Sequence, residues 1–229
     1  MKLGALFSGG KDSTMAMHWA VKNGHKIACL ITLIPESRES YMFHYPDVEF
    51  TKQQAEAMNI PQIIKKTKGE KEEELKDLKA AIIQAMKKYH IVGITAGALA
   101  SNYQKKRVEK ICDELNLECI APYWNYDDNK YMNEIVENNF EVIITSVSAE
   151  GLTSDFLGKK IDAELIEKLK KIKEKTRINI NGEGGEYETF VLDCPLYKKR
   201  LVLRGFNIQK EPNSAVLAIQ KLDFMPKNI

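Results

Sequence analysis

The chain has 229 residues, enough for one large domain or two modest ones, and the mixed apolar and charged composition of a globular protein. A net charge of +2 gives no global pull toward nucleic acid or acidic membrane, and no apolar run approaches the length of a membrane span. The four cysteines, Cys29, Cys112, Cys119 and Cys194, form no C-x-x-C pair and no zinc-like cluster. The first strand begins at Lys2, which leaves no room for a signal peptide, so the expected location is the cytoplasm.

Lys2 to Phe7 reads as a short apolar strand, and Ser13 to Asn23 as a helix with Ala16, Met17, Ala20 and Val21 on one broad face. Between them lies Ser8-Gly9-Gly10-Lys11-Asp12-Ser13. A strand that runs through glycines into a helix N-terminus is a phosphate site in outline, because the first helical turn carries unpaired N–H groups and a partial positive charge. Lys11 adds a full charge, Ser8 and Ser13 add hydroxyl donors, and Asp12 suits a Mg²⁺ that travels with phosphates. The plain alternative is a corner made by two glycines; six consecutive residues of types suited to a magnesium–phosphate complex weigh against it. The spacing is neither the Walker loop nor the dinucleotide G-x-G-x-x-G.

Further along, Lys26 to Leu33 is a buried-strand run, Pro35 to Tyr45 a loop, Asp47 to Met58 a helix and Ile60 to Lys65 a third strand. Glu70 to Tyr89 is the clearest helix, with Leu75, Leu78, Ile82, Ala85, Met86 and Tyr89 at helical spacing. Ile91 to Ala96 is a fourth strand; a helix then carries Val108, Ile111, Cys112 and Leu115 inward, and Leu117 to Ile120 makes a fifth strand. Alternating βα units predict a parallel sheet covered on both faces, with ligands at the C-terminal strand ends, where Ser8, Leu33 and Gly97 fall.

Pro122 marks a change to an aromatic stretch, Tyr123-Trp124-Asn125-Tyr126, followed by a helix near Met132 to Asn138 and a strand from Glu141 to Ser146. A long helix follows, with Ile161, Leu165, Leu169 and Ile172 on its apolar side. Three strands, Glu188 to Leu192, Leu201 to Ile208 and Ala215 to Leu222, close the chain. The expected architecture is α/β: a parallel five-stranded, Rossmann-like (HUP-type) nucleotide-binding domain over residues 1–121, then a smaller α+β domain over 122–229.

Two more segments carry chemistry. Gly97 and the small residues after it let a nucleotide approach, and Lys105, Lys106 and Arg107 oppose the dipole of the next helix unless an anion lies near. Gly182-Glu183-Gly184-Gly185-Glu186-Tyr187-Glu188-Thr189 gathers three carboxylates, which suits a Mg²⁺ site, a site that takes an ammonium ion and removes its proton, or only an acidic hairpin turn. Tyr123, Trp124 and Tyr126 read as packing at a junction or as a cage for a quaternary ammonium. Among the histidines, only His44 falls near the expected nucleotide.

The loop Ser8 to Ser13 resembles the pyrophosphate-binding SGG-x-D-S loop of the ATP pyrophosphatase (PP-loop) superfamily. Together with Ser40-Tyr41-Met42-Phe43-His44, Ser101, Tyr103-Gln104, Arg107-Val108-Glu109, Ala121-Pro122-Tyr123-Trp124 and Gly182 to Val191, it makes the whole chain resemble the diphthine–ammonia ligases, or diphthamide synthases, of the N-type group. The pattern departs at Gly97-Ala98-Leu99, where the family often has Gly-Asp-Ile, and at Tyr123, where Leu is common.

The resemblance implies adenylation by ATP of the carboxylate of diphthine, a modified histidine on translation elongation factor 2, followed by displacement of AMP by ammonia. It implies ATP and Mg²⁺ as cofactors and elongation factor 2 and ammonium as partners, with no membrane or stable nucleic-acid partner; a homo-oligomer is compatible with it. Ser8, Gly9, Gly10, Lys11 and Ser13 would hold pyrophosphate, and Asp12 would hold Mg²⁺. Leu33, His44, Gly97, Ser101 and Gln104 would border the nucleotide. Glu183, Glu186 and Glu188 would act in catalysis, the first two also as metal ligands. Tyr103, Arg107, Tyr123, Trp124, Tyr126 and Tyr187 would meet the substrate. The rival readings are a PP-loop tRNA-modifying ligase and a non-enzymatic ATP-binding sensor; the first sits poorly with the near-neutral charge and the second with Lys11 and Asp12.

Overall fold

A computed structural model describes residues 1–35, 47–68, 71–97 and 102–227. Five parallel strands, β1 (Lys2–Leu6), β2 (Lys26–Pro35), β3 (Gln62–Thr67), β4 (Gly93–Thr95) and β5 (Glu118–Ile120), lie in the order β3-β2-β1-β4-β5. Their crossovers carry α1 (Lys11–Lys22), α2 (Thr51–Met58), α3 (Lys71–Tyr89) and α4 (Asn102–Glu114). Because β1 pairs with β2 on one side and β4 on the other, chain direction across the sheet reverses at β1, and the crevice above that point is where such sheets bind ligands.

Both faces of this sheet are buried, which is why its strands read as nearly continuous apolar runs. Ile31, Leu33 and Ile94 pack with Leu78, Ile82 and Ala85 of α3 and Val108, Ile111 and Cys112 of α4. Leu3, Ala5 and Leu30 join Met15 and Met17 of α1 in a second cluster that runs on into the C-terminal half, through Tyr131, Ile144, Tyr187 and Phe190.

That half contains an antiparallel sheet of β6 (Glu141–Val147), β7 (Tyr187–Asp193), β8 (Lys199–Lys210) and β9 (Ala215–Pro226) in the order β7-β6-β9-β8. Two helices accompany it, α5 (Asp128–Glu137) and α6 (Ala163–Thr176), each started by a carboxylate that accepts an early backbone N–H: Asp127 from Lys130 and Asp162 from Leu165. The expected parallel sheet followed by a smaller α+β part is therefore what the chain forms.

The elements differ from expectation at their ends. The helix expected near Met132 begins at Asp128, because Asp127 caps it. The last two strands run longer than their alternation suggested, since they form one hairpin with pairs from Lys199–Pro226 to Lys210–Ala215. Val21, expected on the apolar face of α1, is 43% exposed. Cys29, Cys112 and Cys194 are buried free thiols, and Cys119 is only half-buried. No helix among the described residues is long and apolar enough to cross a membrane.

Candidate active site

The loop after β1 is built by contacts from far along the chain. Gly9 has φ +85°, and a Cβ on it would lie 2.4 Å from Oε1 of Gln54, so two independent constraints demand glycine there. Gln54, on α2 and wholly buried, donates through Nε2 to the carbonyls of Gly9 (2.9 Å) and Val191 (2.8 Å). The Val191 N–H donates back to Gly9 O at 3.0 Å, and the Lys11 N–H donates to Thr189 Oγ1 at 3.1 Å. The loop is thus stitched to β7 as firmly as to its own strand. On the other side, a Cβ at Gly97 would lie 2.3 Å from the carbonyl carbon of Asp12, so the end of β4 touches the backbone of the first turn of α1.

Within the loop, the Ser8 and Ser13 hydroxyls share a 3.3 Å hydrogen bond, and Ser13 also donates to Gly10 O. Gly10 at the N-cap gives α1 no side-chain cap, which leaves the start of the helix suited to an anion. Lys11 is 2% exposed. Its Nζ lies 2.8 and 2.9 Å from the two oxygens of Asp12, and 5.5 and 5.9 Å from the ring centroids of Tyr187 and Tyr131. A buried ammonium needs such company, since an unpaired charge there would be prohibitively costly. Tyr131 Oη donates to Asp12 Oδ1 at 2.6 Å; burial and the Asp12 carboxylate hold its phenol well above the ordinary range, so it stays a donor.

The three glutamates of the acidic turn part company. Glu188 enters β7 beside Lys11 and Asp12; desolvation pushes its carboxyl up to about 7, against a smaller lowering by Lys11 and with a small upward push from Asp12. Opposite it, β6 carries one extra residue, Thr145, between the pairs Ile144–Thr189 and Ser146–Glu188, a bulge of the kind that re-aims side chains. Glu186, expected among the catalytic carboxylates and metal ligands, closes its own turn: Oε1 accepts the Asn179 N–H at 2.8 Å, and the carboxylate lies against Gly184. The Glu183 N–H donates to Asn181 Oδ1, and Asn181 in turn donates to Asp128 at the start of α5.

The aromatic residues form no open cage. Tyr123 is 4% exposed and packs edge-on to Tyr126 and Tyr131, with both Tyr123 and Tyr126 donating to Glu134. Trp124 already carries a cation, Lys105 Nζ, 4.5 Å from its ring centroid. Tyr187, expected to meet substrate, is 2% exposed and donates to Ile180 O at 2.6 Å; it lines the pocket of Lys11 instead. Leu33 is buried at the C-terminal end of β2, facing α3, so that only backbone there can border a ligand. Arg107 lies on α4. His44 and Ser101, and the side chains of Tyr103 and Gln104, lie outside the described residues.

No group of three or more His, Cys, Asp or Glu side chains among the described residues forms a metal site. Among the described residues a divalent cation would have to share its ligands with phosphate, and Asp12 suits that: Lys11 and Tyr131 hold its carboxylate from within, while the side chain remains 35% exposed. Two positioning residues, Gln54 and Tyr131, have no motif in the sequence to betray them.

Comparison with known proteins places the chain closely. The family model described as diphthamide synthase N-terminal domain matches residues 1–119, and that described as diphthamide synthase C-terminal domain matches residues 127–224. Diphthine–ammonia ligase of Bos taurus is 33% identical over 244 residues, covering 98% of this chain and 91% of its own length. The enzyme of the same name from Rattus norvegicus is 36% identical over 222 residues, covering 89% of this chain and 83% of its own. A predicted subunit of tRNA methyltransferase from Methanocaldococcus jannaschii superposes with a TM-score of 0.42 at 14% identity, over 85% of this chain and 98% of that one, a likeness too slight to argue from.

Proposed function

The chain belongs to the diphthamide synthase family and is a ligase, and we propose that it amidates the carboxylate of diphthine on translation elongation factor 2, with ATP cleaved to AMP and pyrophosphate and ammonium as the nitrogen source. The observation that carries this reading is the junction of the loop with β7. The Lys11 N–H to Thr189 Oγ1 bond sets the loop one residue from a carboxyl that burial pushes up to about 7.

In the first step a diphthine carboxylate oxygen attacks the α-phosphorus, and the bond from that phosphorus to the departing pyrophosphate breaks. Carboxylate oxygen is a poor leaving group, and this step converts it into the far better AMP. The start of α1, the Ser8 and Ser13 hydroxyls and the Lys11 ammonium offset the charge that develops on pyrophosphate, and preorganised donors of this kind are worth most as charge appears. Mg²⁺ bound with the phosphates would neutralise further charge there, held by the exposed side of Asp12.

In the second step ammonium gives a proton to Glu188, and the resulting ammonia attacks the acyl carbon. The bond from that carbon to the AMP oxygen breaks, the attacking nitrogen gives its extra proton to the departing AMP phosphate, and an amide is left. A carboxyl raised toward neutrality is a better proton acceptor than an ordinary one. Glu186 takes no part in this scheme, being committed to Asn179.

The test is product analysis with ATP and ammonium in three mixtures: diphthine-bearing elongation factor 2, tRNA, and neither. AMP, pyrophosphate and the carboxylate-to-amide mass change are expected only with the elongation factor. AMP formed with tRNA instead points to a tRNA-modifying ligase, and binding of ATP without AMP in any mixture points to a sensor.

A further inference from the structure

Asp12 is the one carboxylate of the loop, and its two sides are in different worlds. Its inner side meets Lys11 Nζ and, on Oδ1, the hydroxyl of Tyr131 at 2.6 Å; its outer side reaches solvent. The two inner partners differ in what they can do. Lys11 is the adjacent residue, and its Nζ meets both oxygens at 2.8 and 2.9 Å, so it does not choose between them. Tyr131 comes from α5, 119 residues away, and its ring is fixed by edge-on packing with Tyr123 at 5.0 Å between centroids. The start of α5 is fixed in its turn, because Asp128 accepts from Asn181 at 2.8 Å and pairs with Lys173 at 3.4 Å.

We propose that Tyr131 is a positioning residue for the nucleotide site: its hydroxyl fixes the Asp12 carboxylate so that the free lone pairs face outward, where a divalent cation bound to the phosphates of ATP would lie. The C-terminal half thereby completes a site that the loop motif alone does not. A carboxylate held by only its neighbouring lysine could rotate, and each rotation would point an oxygen away from the cation; a charge-assisted bond from a rigid, fully buried phenol removes that freedom. This assignment rests on the reading of Ser8 to Ser13 as the ATP loop, and not on the identity of the amidated substrate.

The test is binding of ATP to the whole protein by titration calorimetry, with Mg²⁺ and with EDTA, and needs neither ammonium nor elongation factor. In Tyr131→Phe, affinity in EDTA is expected to stay within about twofold of the unmodified protein, while the tightening produced by Mg²⁺ shrinks about five- to tenfold, the scale of one charge-assisted hydrogen bond. Asp12→Asn alone should abolish the tightening, and adding Tyr131→Phe to it should cost nothing more. Equal Mg²⁺ tightening in Tyr131→Phe and the unmodified protein overturns the proposal, as does an equal loss in EDTA, which would mean a merely structural role. If the variant fails to fold by circular dichroism, 4-aminophenylalanine at position 131 keeps the ring and replaces the phenol with a weaker donor to Asp12. It should weaken the Mg²⁺ tightening about twofold, and no change overturns the assignment. An unmodified protein that binds no ATP overturns the loop reading itself and this proposal with it, whereas one that binds Mg·ATP normally yet forms no amide leaves Tyr131 in place and removes only the substrate.

Discussion

The anion loop and the acidic glycine turn use the same materials, glycine beside charge, in opposite ways. In the loop, Gly9, Lys11 and Asp12 are held by residues from three other elements, namely Gln54 of α2, Tyr131 of α5, and Thr189 and Val191 of β7, with Gly97 pressed against the backbone. In the turn, many of the bonds are short-range: Gly182 N–H to Asn179 O, Gly185 N–H to Gly182 O, and Glu186 back to Asn179, with Ser148 of the adjoining strand end and, through Asn181, Asp128 of α5 as outside partners. A motif that is compact in sequence is thus a tertiary construction in space, while the other builds most of itself. Damage to the loop is therefore expected from substitutions far outside it, and damage to the turn mainly from Glu188, the residue by which it reaches the loop.

The sharpest break would come at Lys11. Lys11→Ala is expected to lower pyrophosphate release about 10²- to 10³-fold, the scale of losing one preorganised charge partner; normal release would remove the loop from the chemistry.

Next in size is Glu188→Gln, with amide formation at limiting ammonium falling about 10²-fold. In the unmodified protein that rate should show an inflection near pH 7, as Glu188 loses its proton and becomes able to accept one, and in the variant only the steady rise of free ammonia with pH should remain. Stability moves the other way. Burial raises this carboxyl above its unfolded value, so the folded state holds the proton more tightly, and the associated stability is full in acid and lost as pH rises through about 7. Glu188→Gln, which cannot ionise, should melt higher than the unmodified protein above neutrality, by roughly 2–4 °C for each kcal/mol relieved.

Gln54→Leu should cost about 2 kcal/mol by leaving buried carbonyls with fewer donors, seen as a fall of roughly 4–8 °C in melting temperature. An unchanged melting temperature would mean the loop does not depend on α2. The smallest effect belongs to Glu186→Gln, whose amide oxygen can still accept from Asn179; activity within about threefold is expected, since the group has no proton to move. A hundredfold loss would put Glu186 back in the chemistry and erase the contrast drawn between it and Glu188.

The parallel sheet was legible because strands buried on both faces leave apolar runs such as Lys26 to Leu33, and helices such as Lys71–Tyr89 leave a 3.6-residue stripe. The loop was conspicuous because Ser8 to Ser13 gathers glycine, hydroxyl, cation and carboxylate in six consecutive residues, types that suit a phosphate. Sheet order in the C-terminal half was not, since β6 sits between β7 and β9 through pairings of residues far apart in sequence. Gln54 and Tyr131 were invisible for a related reason: a polar residue on a helix looks the same in sequence whether it faces water or a distant backbone. The aromatic run Tyr123 to Tyr126 left two readings open, because packing and cation recognition draw on the same side chains and the sequence does not show the partners, Glu134 and Lys105.

The cluster that joins Leu3, Met15 and Met17 to Tyr187 and Phe190 has a bearing on how the chain is made. A ribosome releases β1 and α1 early and β7 among the last three strands, so one flank of the nascent parallel sheet stays bare through most of synthesis. Separate expression of residues 1–119 should yield an aggregating fragment, and the intact chain should unfold in one transition, although two family models divide it between them.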